Sequence, residues 1–294
     1  MYIVFALASA FFGGLVAILA KLGVKDINSN FATFIRTFVV LAFSWIIVFI
    51  FSDIGEIKYF TGLNWLFLAL SGICTGASWL CYFKALQLGN VNKVAPVDNS
   101  SVVLTVLVSF LFLGETVTVF KVIGIIGIIA GTFLMIEKKD LKPSDLEKKQ
   151  NFTWFIFAVC SAVFAALVAI FAKIGLDGVD SNLATALRTI IVLVFAFFIL
   201  LFTKDKNIKS IFKRNWIFLV LSGVATGISW LFYFSALKIG EVSVVAAAGK
   251  LSIIVVIIFS YFILKEKLTK KSFIGFLLLV IFTFVMLLDY FITI

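Results

Sequence analysis

One stretch decides the fold, and it is written twice. It runs Leu15-Val16-Ala17-Ile18-Leu19-Ala20-Lys21-Leu22-Gly23 and returns as Leu167-Val168-Ala169-Ile170-Phe171-Ala172-Lys173-Ile174-Gly175. A second run, Asn64-Trp65, Ser71-Gly72, Thr75-Gly76, Ser78-Trp79, Tyr82-Phe83, Ala85-Leu86 and Gly89, comes back as Asn215-Trp216, Ser222-Gly223, Thr226-Gly227, Ser229-Trp230, Tyr233-Phe234, Ala236-Leu237 and Gly240. The offset is 152 residues early and 151 later, so the copies differ in length by one residue between these runs. What the repeat means depends on how often each copy crosses a membrane. An odd number of crossings turns the second copy upside down relative to the first.

The membrane itself follows from composition. The chain is 63% hydrophobic and 14% charged, with mean hydropathy +1.20. A soluble domain is about 45–50% apolar and about 25% charged. Apolar segments recur at lengths near the ~20 residues that span a ~30 Å hydrocarbon core. Ten are read, at 2–21, 31–52, 65–83, 94–113, 119–136, 153–172, 183–203, 216–237, 244–264 and 272–293. The first opens the repeated unit and is read as retained, not as a cleaved signal. Five fall in each copy, and five is odd. The segments are too long, and too little alternating, for barrel strands. Helices satisfy their own backbone hydrogen bonds in lipid. The expected fold is therefore all-α and integral to the membrane, with ten transmembrane helices as two inverted five-helix repeats around a central cavity. The first repeat takes 1–136, a polar linker 137–152, and the second repeat 153–294.

Charge gives the orientation. Lys and Arg mark cytoplasmic loops. Eighteen of the 25 basic residues fall in the loops after segments one, three, five, seven and nine, and only Lys58, Lys121, Lys173 and Lys238 in the opposite loops. Both termini are expected outside and the linker inside, in a multi-pass protein of the cytoplasmic membrane. The copies carry their charge in opposite places: 53–63 has one Lys and two acids, whereas its counterpart 204–214 has five basic residues. The +10 net charge is thus explained by topology, and no nucleic-acid partner is expected.

The same residues carry a resemblance. Lys21-Leu22-Gly23, Asn30-x-Ala32-Thr33-x-x-Arg36-Thr37 and Gly76-x-Ser78-Trp79-x-x-Tyr82-Phe83-x-Ala85-Leu86 form its first part. Ala95-Pro96-Val97-Asp98 and Leu113-Gly114-Glu115-x-x-Thr118 before Gly124 complete it, and Glu266, Thr269 and Gly275 continue it in the second copy. Together they resemble the EamA-type domain of the drug/metabolite transporter superfamily, here as two fused five-helix units. The resemblance implies a ten-helix bundle with inverted halves, a cavity between them and alternating access. It also implies substrates among amino acids, amines, sugars, nucleotide precursors and drugs.

The remaining three basic residues, Arg36, Arg188 and Lys250, lie inside segments with Asp98. A charge in a bilayer costs at least ~2.5–3.5 kcal/mol on insertion scales and points to function. Arg36 and Arg188 are equivalent positions. Asp98 lies at a similar depth to Arg36, so an Arg36–Asp98 ion pair is expected, either to fix packing or with Asp98 as a coupling residue or ligand for an amine. Gly249 and Lys250 stand where the first copy has Asp98 and Asn99. Arg188 and Lys250 then have no matching acid within the helices, and Asp180 and Glu241 from the adjoining loops are expected to neutralise them. Failing that, the half-cavity is positive and suits a carboxylate or phosphate.

Thr75, Ser78, Trp79 and Tyr82, repeated as Thr226, Ser229, Trp230 and Tyr233, lie on one face of the third helix of each half. Hydroxyls beside aromatics suit substrate binding by hydrogen bonds and cation–π contact. The plainer alternative is helix packing or interface anchoring. Gly72-x-x-x-Gly76 and Gly223-x-x-x-Gly227 have the spacing of close helix contacts. Glu115 and Glu266 are read as capping or salt-bridged residues, and Lys21 and Lys173 as snorkelling. Cys74, Cys81 and Cys160 read as apolar packing residues.

The chain has no histidine. This excludes a His-dependent hydrolase and leaves no metal or cofactor expected. There is no Gly-x-x-x-x-Gly-Lys-[Ser/Thr] either, so ATP-driven transport would need another subunit. The expected function is secondary active transport of small organic metabolites (amino acids, amines or related solutes). A monomer suffices for it, and its partners are a small-molecule solute and membrane lipid. A membrane-embedded enzyme lacks visible nucleophile, base or metal ligands. A channel lacks a visible filter loop.

Overall fold

The computed structural model describes residues 1–23, 27–89, 91–135, 148–202, 213–265 and 268–292. Most of the 137–152 linker, most of the basic 204–214 loop, and Glu266 lie outside the described residues. The first half comprises α1 (Tyr2–Gly23), α2 (Ser29–Phe51), α3 (Gly62–Leu88), α4 (Val91–Asn99), α5 (Ser101–Leu113) and α6 (Val119–Met135). The second comprises α7 (Lys148–Gly175), α8 (Ser181–Phe202), α9 (Lys213–Ile239), α10 (Val242–Lys250), α11 (Ser252–Phe259) and α12 (Lys270–Ile292).

Among the described residues nine spans are long and apolar enough to cross a membrane, with α4–α5 and α10–α11 each counted as one. The remaining segment, the fifth, is α6, which is apolar but only 17 residues long. Large apolar side chains such as Phe49, Phe112 and Phe262 are exposed on the outside, as a lipid-facing surface requires.

The halves interleave. α3 packs on α7, and α1 on α9. Asn64, in the first turn of α3, donates from Nδ2 to the carbonyls of Gly175 (3.1 Å) and Asp177 (2.9 Å) at the end of α7. Its counterpart Asn215 donates to the carbonyl of Gly23 (3.2 Å) at the end of α1. Midway, Ser78 meets Ser161 and Ser229 meets Ser9, each at 3.1 Å. The start of each third helix thus meets the end of the other half's first helix, so α3 and α7 are antiparallel. By the crossing count α3 runs parallel to α1, and α7 is the copy of α1. The second half is therefore inverted.

Small residues make this packing possible. A Cβ on Gly72 would stand 3.1 Å from Ile191, and one on Gly223 would stand 2.7 Å from Val39, the equivalent residue of the other half. Removing the side chain lets α3 lie against α8 and α9 against α2.

The fourth and ninth segments, expected as continuous helices, are interrupted. The breaks fall at Ser100 (φ −64°, ψ −8°) and Leu251 (φ −63°, ψ −10°), which are equivalent positions. Around both, the ladder tightens to three-residue bonds: Val103 N–H donates to Ser100 O and Ile254 N–H to Leu251 O, each at 3.0 Å. Pro96 lies inside α4, but its counterpart is Ala247. Proline is therefore not the shared cause. Asp98-Asn99 and Gly249-Lys250 occupy the last turn before each break.

Candidate functional site

The sequence-predicted polar residues converge. Two adjoining lobes of about 290 and about 250 Å³ lie where the halves meet. Along α1 the first lobe touches Ser9 and Gly13, and the second Gly13 through Ala20, so the lobes succeed one another along the bundle. Ser78, Trp79, Asp98, Asn99, Ser229 and Trp230 line both. Thr75, Arg188, Tyr233 and Lys250 belong to the first lobe, and Arg36, Tyr82 and Thr226 to the second.

Trp79 and Trp230 stack on each other between the lobes, with centroids 5.2 Å apart and planes 28° from parallel. They are the same residue of the two copies, so the internal two-fold passes between them. Each carries an arginine. The Arg36 guanidinium lies 5.6 Å from the Trp79 centroid and 5.0 Å from that of Phe83. The Arg188 guanidinium lies 4.4 Å from Trp230 and 4.3 Å from Phe234. Such contacts give roughly 0.5–2 kcal/mol each and partly offset the burial of an unpaired charge. Each arginine also crosses to the other half: Arg36 Nη2 donates to Thr226 Oγ1 (3.1 Å) and Arg188 Nη1 to Thr75 Oγ1 (2.6 Å). Both threonines pass their own protons back to their helices, at Ser222 O and Ser71 O. Both arginines are 1% exposed, and two nitrogens of each have no hydrogen-bond partner.

Three expectations are corrected. Arg36 and Asp98 do not pair. Asp98 Oδ1 instead accepts from Ser161 Oγ at 2.6 Å, while Arg36 is held by its two rings and Thr226. Asp180 and Glu241 do not neutralise Arg188 and Lys250. Asp180 Oδ1 accepts from Leu183 N–H and Ser52 Oγ, each at 2.8 Å, and so caps α8. Glu241 pairs with Lys121 Nζ at 2.9 Å. Nor does the Arg188 side lack an acid. Asp98 reaches it from the other half, within electrostatic range of Lys250 but beyond ion-pair distance among the described residues. The cavity therefore holds three cationic side chains and one carboxylate among the described residues. Lys121, read as a loop residue, is 1% exposed.

The end residues have mixed roles. Glu115 accepts from the backbone of Val242 (2.6 Å) and Ser243 (3.2 Å), capping α10 across the halves. Lys173 donates to Leu237 O (2.7 Å) and Gly240 O (2.9 Å), closing the end of α9. Of the site, Ser9, Ser161, Phe83, Phe234 and Asn99 were missed. The two serines were readable in principle, because Phe5-Ala6-x-x-Ser9-Ala10 returns as Phe157-Ala158-x-x-Ser161-Ala162. No cluster of three or more Cys, Asp or Glu suited to a metal occurs among the described residues.

Known proteins agree with this architecture. The model of the EamA-like transporter family matches residues 1–137 and 152–288. An "uncharacterized transporter in cobO 3'region" from Sinorhizobium sp is 47% identical over 130 residues, which is 44% of this chain and 92% of that protein. A protein known from its crystal structure superposes with TM-score 0.76 at 15% identity, covering 98% of this chain and 97% of its own. That likeness bears on the fold alone.

Proposed function

Because this chain belongs to the EamA-like transporter family and is a multi-pass membrane transporter, we propose that it is a secondary transporter. In this reading it moves small organic metabolites, amino acids, amines or related solutes, across the cytoplasmic membrane by alternating access. The supporting observation is the polar cavity on the internal two-fold, divided by the Trp79–Trp230 stack into lobes that follow one another along the bundle. Inverted halves can exchange the roles of open and closed half, so one central site is served from either side. Trp79, Trp230, Tyr82 and Tyr233 supply aromatic surface, and Thr75, Thr226, Ser78, Ser229 and Lys250 supply polar contacts. Arg36 and Arg188 fix the rings. Asp98, half-buried and among the described residues hydrogen-bonded through Ser161 alone, takes the coupling proton. Both termini lie outside, on the Lys/Arg asymmetry.

Proteoliposomes loaded with unlabelled amino acids or amines and given labelled solute outside provide the test. Accelerated, saturable counterflow is expected of a carrier. Flux that rises linearly with concentration and shows no counterflow would indicate a channel.

A further inference from the structure

We propose that the lobe beside Arg188 is an anion subsite, which receives a carboxylate or phosphate group of the solute. That the anion belongs to a solute rests on the transporter reading, but the chemistry is local. Arg188 donates Nη1 to Thr75, leaving Nε and Nη2. Those two nitrogens share one edge of the guanidinium, and their N–H bonds run side by side, the fork that grips a carboxylate or phosphate with two hydrogen bonds. Arg36 is bound the other way round. It donates Nη2 to Thr226, which splits the same fork and leaves Nε and Nη1 diverging. The two lobes are near copies, yet of the two arginines only Arg188 keeps that fork free of hydrogen bonds, on nitrogens buried beside the lobe it lines.

Two substitutions between the copies act in the same direction. Lys250, lining the Arg188 lobe, stands where the first half has Asn99, and brings a second cation with no hydrogen bond or ion pair among the described residues. Gly249 stands where the first half has Asp98, so the acid that would quench this lobe is absent from its own half. The space remains: a Cβ on Gly249 would meet only Tyr233, at 3.8 Å. Asp98 enters from the other half with its Oδ1 held by Ser161, so this lobe sets two cations against one carboxylate. Two buried cations balanced by one carboxylate leave an uncompensated charge, which is costly, and an anion seated between Arg188 and Lys250 relieves that cost.

The test uses the full chain purified in detergent. Its melting midpoint is followed at constant ionic strength against benzoate, benzamide, benzylamine and inorganic phosphate. Benzoate, phosphate or both are expected to raise the midpoint, and benzamide and benzylamine are not. Which anion acts distinguishes a carboxylate site from a phosphate site. Gly249→Asp is expected to weaken that anion by at least about tenfold, as is Lys250→Gln, since each removes or cancels one charge-assisted contact. Arg188→Lys keeps the charge, loses the fork and is expected to weaken it similarly. Stabilisation by benzylamine alone, or anion affinities untouched in both Gly249→Asp and Lys250→Gln, would overturn the inference. The transporter reading fails separately. An anion that binds in this lobe yet shows no counterflow leaves the subsite standing, whereas counterflow of a cation with no anion effect leaves the transporter standing and removes the subsite.

Discussion

The two lobes of the cavity are built from the same residues and end up chemically different. Around Trp79 and Trp230 everything is matched: an arginine over each ring, a threonine from the opposite half under each arginine, and a serine pair binding each third helix to its neighbour. One turn before the helix breaks the match ends, where Asp98-Asn99 faces Gly249-Lys250. The matched residues hold the halves together, and both copies need them for the same mechanical reason. Of the unmatched residues Asp98 also joins the halves, through Ser161, but its counterpart Gly249 has no side chain to do so, and that position was free to specialise. If this division is correct, substitutions at matched positions should hurt equally in both halves, and those at unmatched positions should not.

The largest effect expected is at the stack. Trp79→Ala and Trp230→Ala each remove a ring that supports its partner and an arginine, at a cost of about 3 kcal/mol. Denaturant titration of the two variants should give the same loss. A twofold difference between them would break the symmetry. Next come Thr75→Val and Thr226→Val. Each strips the partner of a buried guanidinium nitrogen, and about 2 kcal/mol is expected in both halves. The smallest stability change belongs to an unmatched position. Asp98→Asn keeps an oxygen for Ser161 to donate to and should shift stability by under about 1 kcal/mol. Flux driven by a proton gradient should nevertheless disappear, while counterflow persists. Unchanged gradient-driven flux would make Asp98 a packing residue.

Much of this is legible in the sequence alone. Helix parity and the Lys/Arg count needed only the length of apolar runs and the position of charges. The Thr75–Tyr82 stripe and its copy converged because residues three, four and seven apart share a helix face whatever the neighbours are. Legibility failed where a contact depends on the rotation of one helix against another. Arg36 and Asp98 were matched by depth, but depth gives height along the bundle and not the direction a side chain points. Asp180 and Glu241 were near their supposed partners in sequence, yet backbone amides and Lys121 claimed them first. The breaks at Ser100 and Leu251 left no trace, because neither position has the proline or glycine in both copies that would announce a kink. Ser9 and Ser161 were missed although both copies keep them.

The interleaving of the halves has a consequence for how the molecule is made. The first helix, α1, rests chiefly against α9, which is not synthesised until residue 213. Until then the α9 residues that pack against it, Ser229 on Ser9 among them, are missing. The chain thus assembles through contacts far apart in sequence, which slows folding and leaves the first half incomplete while the second is translated. A lone five-helix unit would face the same deficit permanently. It would be rescued only by a second copy inserted in the opposite sense.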